Sequence, residues 1–215
     1  MTVERLGDAL LLLVLLTDLA LLVTDRLSSS IRLVAFQGVL LGLVPLTLAH
    51  AFSIHLAAIV IGTIAIKAVL LPRILLWAIR EAEVRHERQP SIGHLPSLLL
   101  GLAVTGIAFG VAGRLPALPG RSLPLLIPVA LSTLMIGFLL LTSRRKALSQ
   151  VLGYLVLENG IFLFGLTLAD RLPLLVEMGV LLDVFVGALI MGLVVFQIQR
   201  ELETLDSREL SQLTD

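Results

Sequence analysis

Residues 149–169 read Ser-Gln-Val-Leu-Gly-Tyr154-Leu-Val-Leu-Glu158-Asn-Gly-Ile-Phe-Leu-Phe-Gly-Leu-Thr-Leu-Ala169. Glu158 is the single charge in that stretch, and about 20 mainly apolar residues suffice to cross a bilayer as a helix. The stretch therefore predicts a transmembrane helix with a carboxyl group near its middle. A carboxylate is costly to place in hydrocarbon, so one at that depth points to a proton or ion path.

The same pattern recurs on either side, near residues 7–24, 32–50, 55–79, 95–112, 123–142 and 174–199. The expected fold is all-α, a polytopic transmembrane bundle of about seven helices. Pro116, Pro119, Pro124 and Pro128 blur the boundaries within 95–142. Composition agrees: 57% of residues are hydrophobic, mean hydropathy is +1.02, and 15% are charged, against roughly 25% in soluble domains. Arg26, Arg32, Arg80, Arg85, Arg88, Arg144, Arg145, Lys146, Arg200 and Arg208 fall on one side of that arrangement. Arg5, Arg114, Arg121 and Arg171 fall on the other. Basic loops stay inside, so the N-terminus is expected outside and the C-terminus inside. Glu4, Arg5 and Asp8 do not make a positive leader region and Asp18 interrupts the first apolar run, so that run is expected to be a retained helix.

Four units are expected. Residues 1–92 form a three-helix membrane unit with a charged cytoplasmic extension. Residues 93–122 supply a connecting helix and an outer loop, 123–200 a second three-helix unit, and 201–215 a polar cytoplasmic tail. The sequence Leu-Thr-Leu-Ala occurs at 46–49 and again at 166–169. Each copy closes a helix and precedes one with a central charge, which suggests parallel copies of a three-helix repeat. The segment Arg80–His94 carries mixed charges at helical spacing and is read as a solvated extension of the third helix, with a docking surface for a cytoplasmic partner as the alternative.

Zero net charge argues against nucleic acid as a partner, and membrane lipids are the expected surroundings. With no cysteine, thiolate metal sites, iron–sulfur clusters and disulfides are excluded. His50, His55, His86 and His94 fall in or beside predicted loops, not at ligand spacing on one helix. No phosphate-binding loop, dinucleotide fingerprint or nucleophile elbow occurs. Neither a catalytic centre nor a cofactor or metal of its own is expected, and any redox group belongs to a partner.

The candidate residues are therefore the intramembrane ionisable ones. Glu158 has Tyr154 and Phe162 one turn away on either side, with Asn159 and Gly160 following it. It either takes and releases a proton or, neutral, bonds a neighbouring helix. Asp183 lies between Gly179 and Gly187 on one helix face, where small residues leave room for water or for a close helix. Lys67 sits deep in Gly62-Thr-Ile-Ala-Ile-Lys67-Ala-Val. Thr63, at i−4, is placed to bond it, and Pro72 removes a backbone donor and loosens the helix nearby. Lys67 either joins the path or makes a structural pair with a carboxylate such as Asp18. Asp18 is expected near the inner interface, and Gln37 is expected to bond another helix. The patterns Gly38-xxx-Gly42 and Gly106-xxx-Gly110 are read as packing contacts, within this chain or with a partner.

The stretches Gly153-Tyr-Leu-Val-Leu-Glu-Asn-Gly160 and Leu174-Leu-Val-Glu-Met-Gly-Val-Leu-Leu-Asp183-Val-Phe resemble the hydrogenase-4 component E family, as do the Gln37 helix and Lys67-Ala-Val-Leu-Leu-Pro72. Members are membrane subunits of formate-hydrogenlyase-type and related energy-converting hydrogenase complexes. The last three helices are also similar to the K-type subunit of respiratory complex I and to the C subunit of Mrp-type antiporters. The K-type subunit carries two intramembrane glutamates on successive helices. Glu158 matches the first, and Asp183 stands at the second with a shorter side chain. The resemblance implies a proton- or sodium-handling subunit of an oxidoreductase complex in a prokaryotic cytoplasmic membrane. The implied partners are antiporter-like membrane subunits and a hydrogenase or complex-I-like peripheral module. Two other readings stay open: a stand-alone small secondary ion transporter and a purely structural membrane anchor.

Overall fold

The computed structural model describes residues 2–49, 53–81, 93–115, 123–144 and 147–167, with isolated helical positions at Phe185, Gly187, Ala188 and Gly192. All regular structure among the described residues is helical, in the order α1 (Thr2–Val23), α2 (Leu27–Leu48), α3 (Ile54–Thr63), a π-helix (Ile64–Leu70), α4 (Leu71–Glu81), α5 (His94–Ala112), α6 (Leu126–Ser143) and α7 (Ala147–Leu166). Six continuous helical stretches are long and apolar enough to cross a membrane, α3, the π-helix and α4 together making one of them. In hydrocarbon no water can satisfy a backbone amide, so apolar runs of this length fold as helices that bond internally. The chain is an all-α multi-pass membrane protein. The expected seventh span at 174–199, with the second copy of the suspected repeat, lies outside the described residues apart from the four helical positions.

Local chemistry sets several ends. The Ser53 hydroxyl accepts the Leu56 amide at 3.1 Å and caps α3. Arg144, buried just past α6, donates to the carbonyls of Leu21, Leu22 and Thr24 at 3.3–3.4 Å, closing the C-terminal end of α1. His94, opening α5, meets Asp25 at 2.5 Å and ties α5 to the turn between α1 and α2. The π-helix ends at Leu70, two residues before Pro72, whose ring offers no N–H and crowds the carbonyl of Ala68. The Leu71 amide reaches back five residues to the Ile66 carbonyl, so the widened turn carries the chain past that obstruction.

In the bundle α2 packs against α1, the whole third span and α7, while α1 also packs on α5 and α6. The closest pairing is α6 with α7. There Gly137 faces the backbone of Leu157, and Gly160 faces the backbone of Leu134, with no room for a Cβ at either glycine. Gly38 and Gly42 meet the third span at Lys67 and Ile64, as expected of that pattern. Gly106 and Gly110 behave differently. A Cβ at either would meet nothing within 4 Å, so among the described residues they form no packing contact, and α5 presents an open apolar face.

The buried apolar side chains divide into two clusters. One gathers Leu21, Leu22, Ile31, Val34, Leu71, Leu75, Leu140, Leu152 and Val156. The other gathers Leu11, Val14, Leu40, Leu41, Val44, Leu126, Val129, Phe162 and Leu163. On every helix that contributes to both clusters, the residues between them in sequence carry the polar groups.

Candidate functional site

That intervening layer contains Asp18 from α1, Gln37 from α2, Lys67 from the π-helix, Thr133 from α6, and Glu158 and Asn159 from α7. Each is buried; Asp18 and Gln37 are 0% exposed, Lys67 4% and Glu158 2%. At 1.5 Å per residue, Glu158 lies about 16 Å from the start of α7 and about 12 Å from its end. The layer therefore sits near mid-membrane.

Lys67 Nζ donates to Glu158 Oε1 at 3.1 Å across 91 residues of sequence. The ammonium also lies 5.9 Å from the centroid of the Phe162 ring, within range of a cation–π attraction. Gly38 makes this placement possible. A Cβ there would stand 2.8 Å from Lys67 Cβ and 2.9 Å from the Lys67 carbonyl carbon. The absence of a side chain on α2 thus lets the π-helix come in far enough to bring Lys67 towards α7.

A second chain of bonds runs through the same layer. Asn159 Nδ2 donates to Gln37 Oε1 at 3.1 Å. Gln37 Nε2 donates to Asp18 Oδ1 at 2.7 Å. Thr133 Oγ1 donates to Asp18 Oδ2 at 2.6 Å. The two parts are continuous along the chain, because Glu158 and Asn159 are neighbours on α7.

The structure corrects three expectations. Asp18 is fully buried among α1, α2 and α6 instead of reaching the interface. Gln37 bonds it on one side and Thr133 on the other, and these bonds hold it inside. Lys67 pairs with Glu158, not Asp18. The Thr63 hydroxyl, fully buried one turn before Lys67, has no hydrogen-bond partner among the described residues. The π-helix begins just after Thr63, so the spacing of a regular α-turn no longer applies there. Gln37 bonds other helices, two of them, as expected. Tyr154 lies half-buried against the first apolar cluster. Asp183 lies outside the described residues; Gly187, one turn beyond it in sequence, approaches Leu71. Sequence reasoning missed Thr133. One threonine in an apolar span gives no signal, because threonine hydroxyls commonly bond back to their own helix.

Two carboxylates, one ammonium, two amides and a hydroxyl thus converge in a layer closed by apolar residues above and below. Such a layer can hold and exchange a proton. Among the described residues no group of side chains has the composition of a metal site.

Comparisons with known proteins bear on what the layer serves. A family model described as NADH-ubiquinone/plastoquinone oxidoreductase chain 4L matches residues 125–215. The chain is 32% identical over 192 residues to an uncharacterised protein of Mycobacterium tuberculosis, covering 88% of this chain and 87% of that one. It is 34% identical over 149 residues to the hydrogenase-4 component E of Escherichia coli, covering 68% of each chain. The component of the same name from Shigella flexneri shows the same identity and coverage. No solved structure matches the chain. Identity of this level over two thirds of both chains places the sequence plainly: it belongs to the hydrogenase-4 component E family.

Proposed function

We propose that this protein is an integral membrane subunit of a complex-I-like or energy-converting hydrogenase complex. In this role it contributes a mid-membrane segment of a proton or sodium path coupled to electron transfer in partner subunits. The family model and the hydrogenase-4 relatives support the first part. The observation that carries the second is the Lys67–Glu158 pair, held at 3.1 Å between a π-helix and α7 at mid-membrane. Structural glue would not need two ionised groups at that depth, where neutral side chains of similar volume are commonly at least as stabilising.

In this reading Glu158, Lys67 and Asp183 carry the path, while Tyr154, Asn159, Gln37 and Asp18 support it. With its ammonium beside Glu158, Lys67 holds that group as a carboxylate. Withdrawal of the ammonium leaves a buried carboxylate that takes a proton, and its return expels the proton onward. The π-helix is the natural site of that movement, because its wider turn lacks the tight bonding of an α-turn. Protonation steps along such a row are coupled, so apparent titrations belong to the set and not to one residue. Asp183 extends the row on the last expected helix. The antiporter-like subunits and the hydrogenase or complex-I-like module are proposed partners. The cytoplasmic membrane of a prokaryote, with the C-terminus inside, is the proposed location.

The division into units at 1–92, 93–122, 123–200 and 201–215 belongs to the same proposal. The family match beginning at residue 125 supports treating the region after 123 as a K-type unit.

The test is Glu158→Gln in the assembled complex. Ion pumping per electron transferred, measured on the complex that does assemble with full subunit content, should fall at least tenfold. Wild-type pumping by an intact Glu158→Gln complex would sink the assignment.

A further inference from the structure

Glu158 has a cation beside it. Asp18 does not: its partners are Gln37 and Thr133, and no Lys, Arg or His pairs with it among the described residues. From α2 comes the neutral amide of Gln37, with Arg32 exposed near the start of that helix. From α6 comes the hydroxyl of Thr133; α6 itself carries no ionisable residue, and Arg144, just past its end, is buried against the carbonyls of Leu21, Leu22 and Thr24 at the end of α1. From α5 comes no charge within the span, since His94 stands at its first residue against Asp25. On α1 itself Glu4, Arg5 and Asp8 lie at the opposite end. The other ionisable groups of the layer are Lys67 and Glu158, which offset one another.

The described layer therefore holds two acids and one base, and it carries one uncompensated negative charge if all three ionise. A fully buried carboxylate with no cation neutralises by taking a proton. We infer that Asp18 is a proton-binding site of this chain, loaded in the resting protein and joined to Glu158 through Gln37 and Asn159. This inference deepens the proton-path reading and rests on it.

The surrounding bonds suit a proton better than a metal cation. Asn159 already occupies the amide oxygen of Gln37, so the Gln37 amide presents its N–H₂ to Asp18. A sodium ion there would face a donor where it needs oxygens. A proton on Oδ2 finds an acceptor ready. The Thr133 hydroxyl lies 2.6 Å from Oδ2 and donates to the carboxylate; a hydroxyl oxygen accepts as well as donates, so a protonated Asp18 keeps this bond with its direction reversed. Oδ1 keeps the Gln37 bond in either state. The step adds a proton to a carboxylate to give a carboxylic acid, and no bond between heavy atoms changes.

Infrared spectra of the full chain in lipid nanodiscs test this. Aspartate labelled with carbon-13 marks the C=O stretch of any protonated aspartic acid. Wild type should show a label-sensitive, deuteration-sensitive carboxylic-acid band. That band should vanish in Asp18→Asn and persist in both Asp183→Asn and Glu158→Gln. A wild-type spectrum without a labelled band overturns the inference, as does a band that survives Asp18→Asn or is lost in Asp183→Asn. If Asp18→Asn does not fold, Asp18→Glu decides: the label-sensitive band should disappear and an unlabelled acid band should replace it. The outcomes separate from the wider reading. Pumping lost in Glu158→Gln without an Asp18 band sinks this inference alone. Normal pumping in Glu158→Gln with the Asp18 band present sinks the path through Glu158 alone.

Discussion

The Lys67–Glu158 pair makes a quantitative prediction through a double-mutant cycle. Two unit charges 3.1 Å apart attract by about 5 kcal/mol at an effective dielectric of about 20. Lys67→Met removes the cation and leaves Glu158 as a buried charge, a change that costs roughly 3–5 kcal/mol in comparable sites. Glu158→Gln leaves the ammonium in the same position and should cost about as much. Lys67→Met with Glu158→Gln leaves two neutral side chains of similar volume, and it should lie within about 2 kcal/mol of wild type. The coupling energy should therefore be several kcal/mol and favourable. Reversible unfolding in mixed micelles, followed through the fluorescence of the single tryptophan, Trp77, or by near-UV circular dichroism, supplies the four stabilities. Additive losses, with coupling below about 0.5 kcal/mol, would refute the argument, because residues that do not interact add to within that margin. The function should separate from the stability. The double variant should fold and assemble well yet pump poorly, because both exchangeable groups are gone.

Two further expectations concern packing. Thr63→Val should leave stability unchanged or raise it by up to about 1 kcal/mol in the same unfolding assay, because the buried hydroxyl it removes has no partner among the described residues; a loss above about 1 kcal/mol would show that the hydroxyl is bonded. Gly160→Val should cost about 3 kcal/mol or more and depress the amount of complex recovered from membranes, because the added methyls meet the backbone of Leu134 and not a movable side chain; normal recovery would show that α6 and α7 stand further apart.

Much of the architecture was legible because bilayers restrict folds so strongly. The expected spans 7–24, 32–50, 55–79, 95–112, 123–142 and 149–169 each fall on an observed helical stretch, with ends displaced by a few residues. Pro72 gave a readable hint of the distortion at Lys67, although no residue pattern specifies seven residues of π-helix. The depth of Glu158 and Lys67 was readable from their distance to the span ends. Their partnership was not, because 91 intervening residues leave the facing of two helices undetermined. Asp18 was misplaced for a related reason. Position along a helix indicates depth, but whether a group turns outwards or inwards depends on which helices surround it. The Gln37 amide that holds Asp18 comes from the next helix, 19 residues on, but the Thr133 hydroxyl comes from a helix 115 residues away. Gly106 and Gly110 show the converse. The motif is shared with Gly38 and Gly42, yet among the described residues only the latter pair has a helix against it.

The two apolar clusters have an electrical consequence. They insulate the layer of Asp18, Gln37, Lys67, Glu158 and Asn159 from both aqueous phases, so most of a transmembrane voltage falls across the clusters themselves. Carrying one elementary charge from either phase to the layer spans about half the voltage, which is work of about 1.2 kcal/mol per 100 mV. Movement within the layer, from one side chain to its hydrogen-bonded neighbour, runs along a surface of nearly constant potential. In the proposed path, transfer between Asp18 and Glu158 would therefore be almost free of voltage dependence, and charging of the membrane would throttle entry and exit and leave the sideways step untouched.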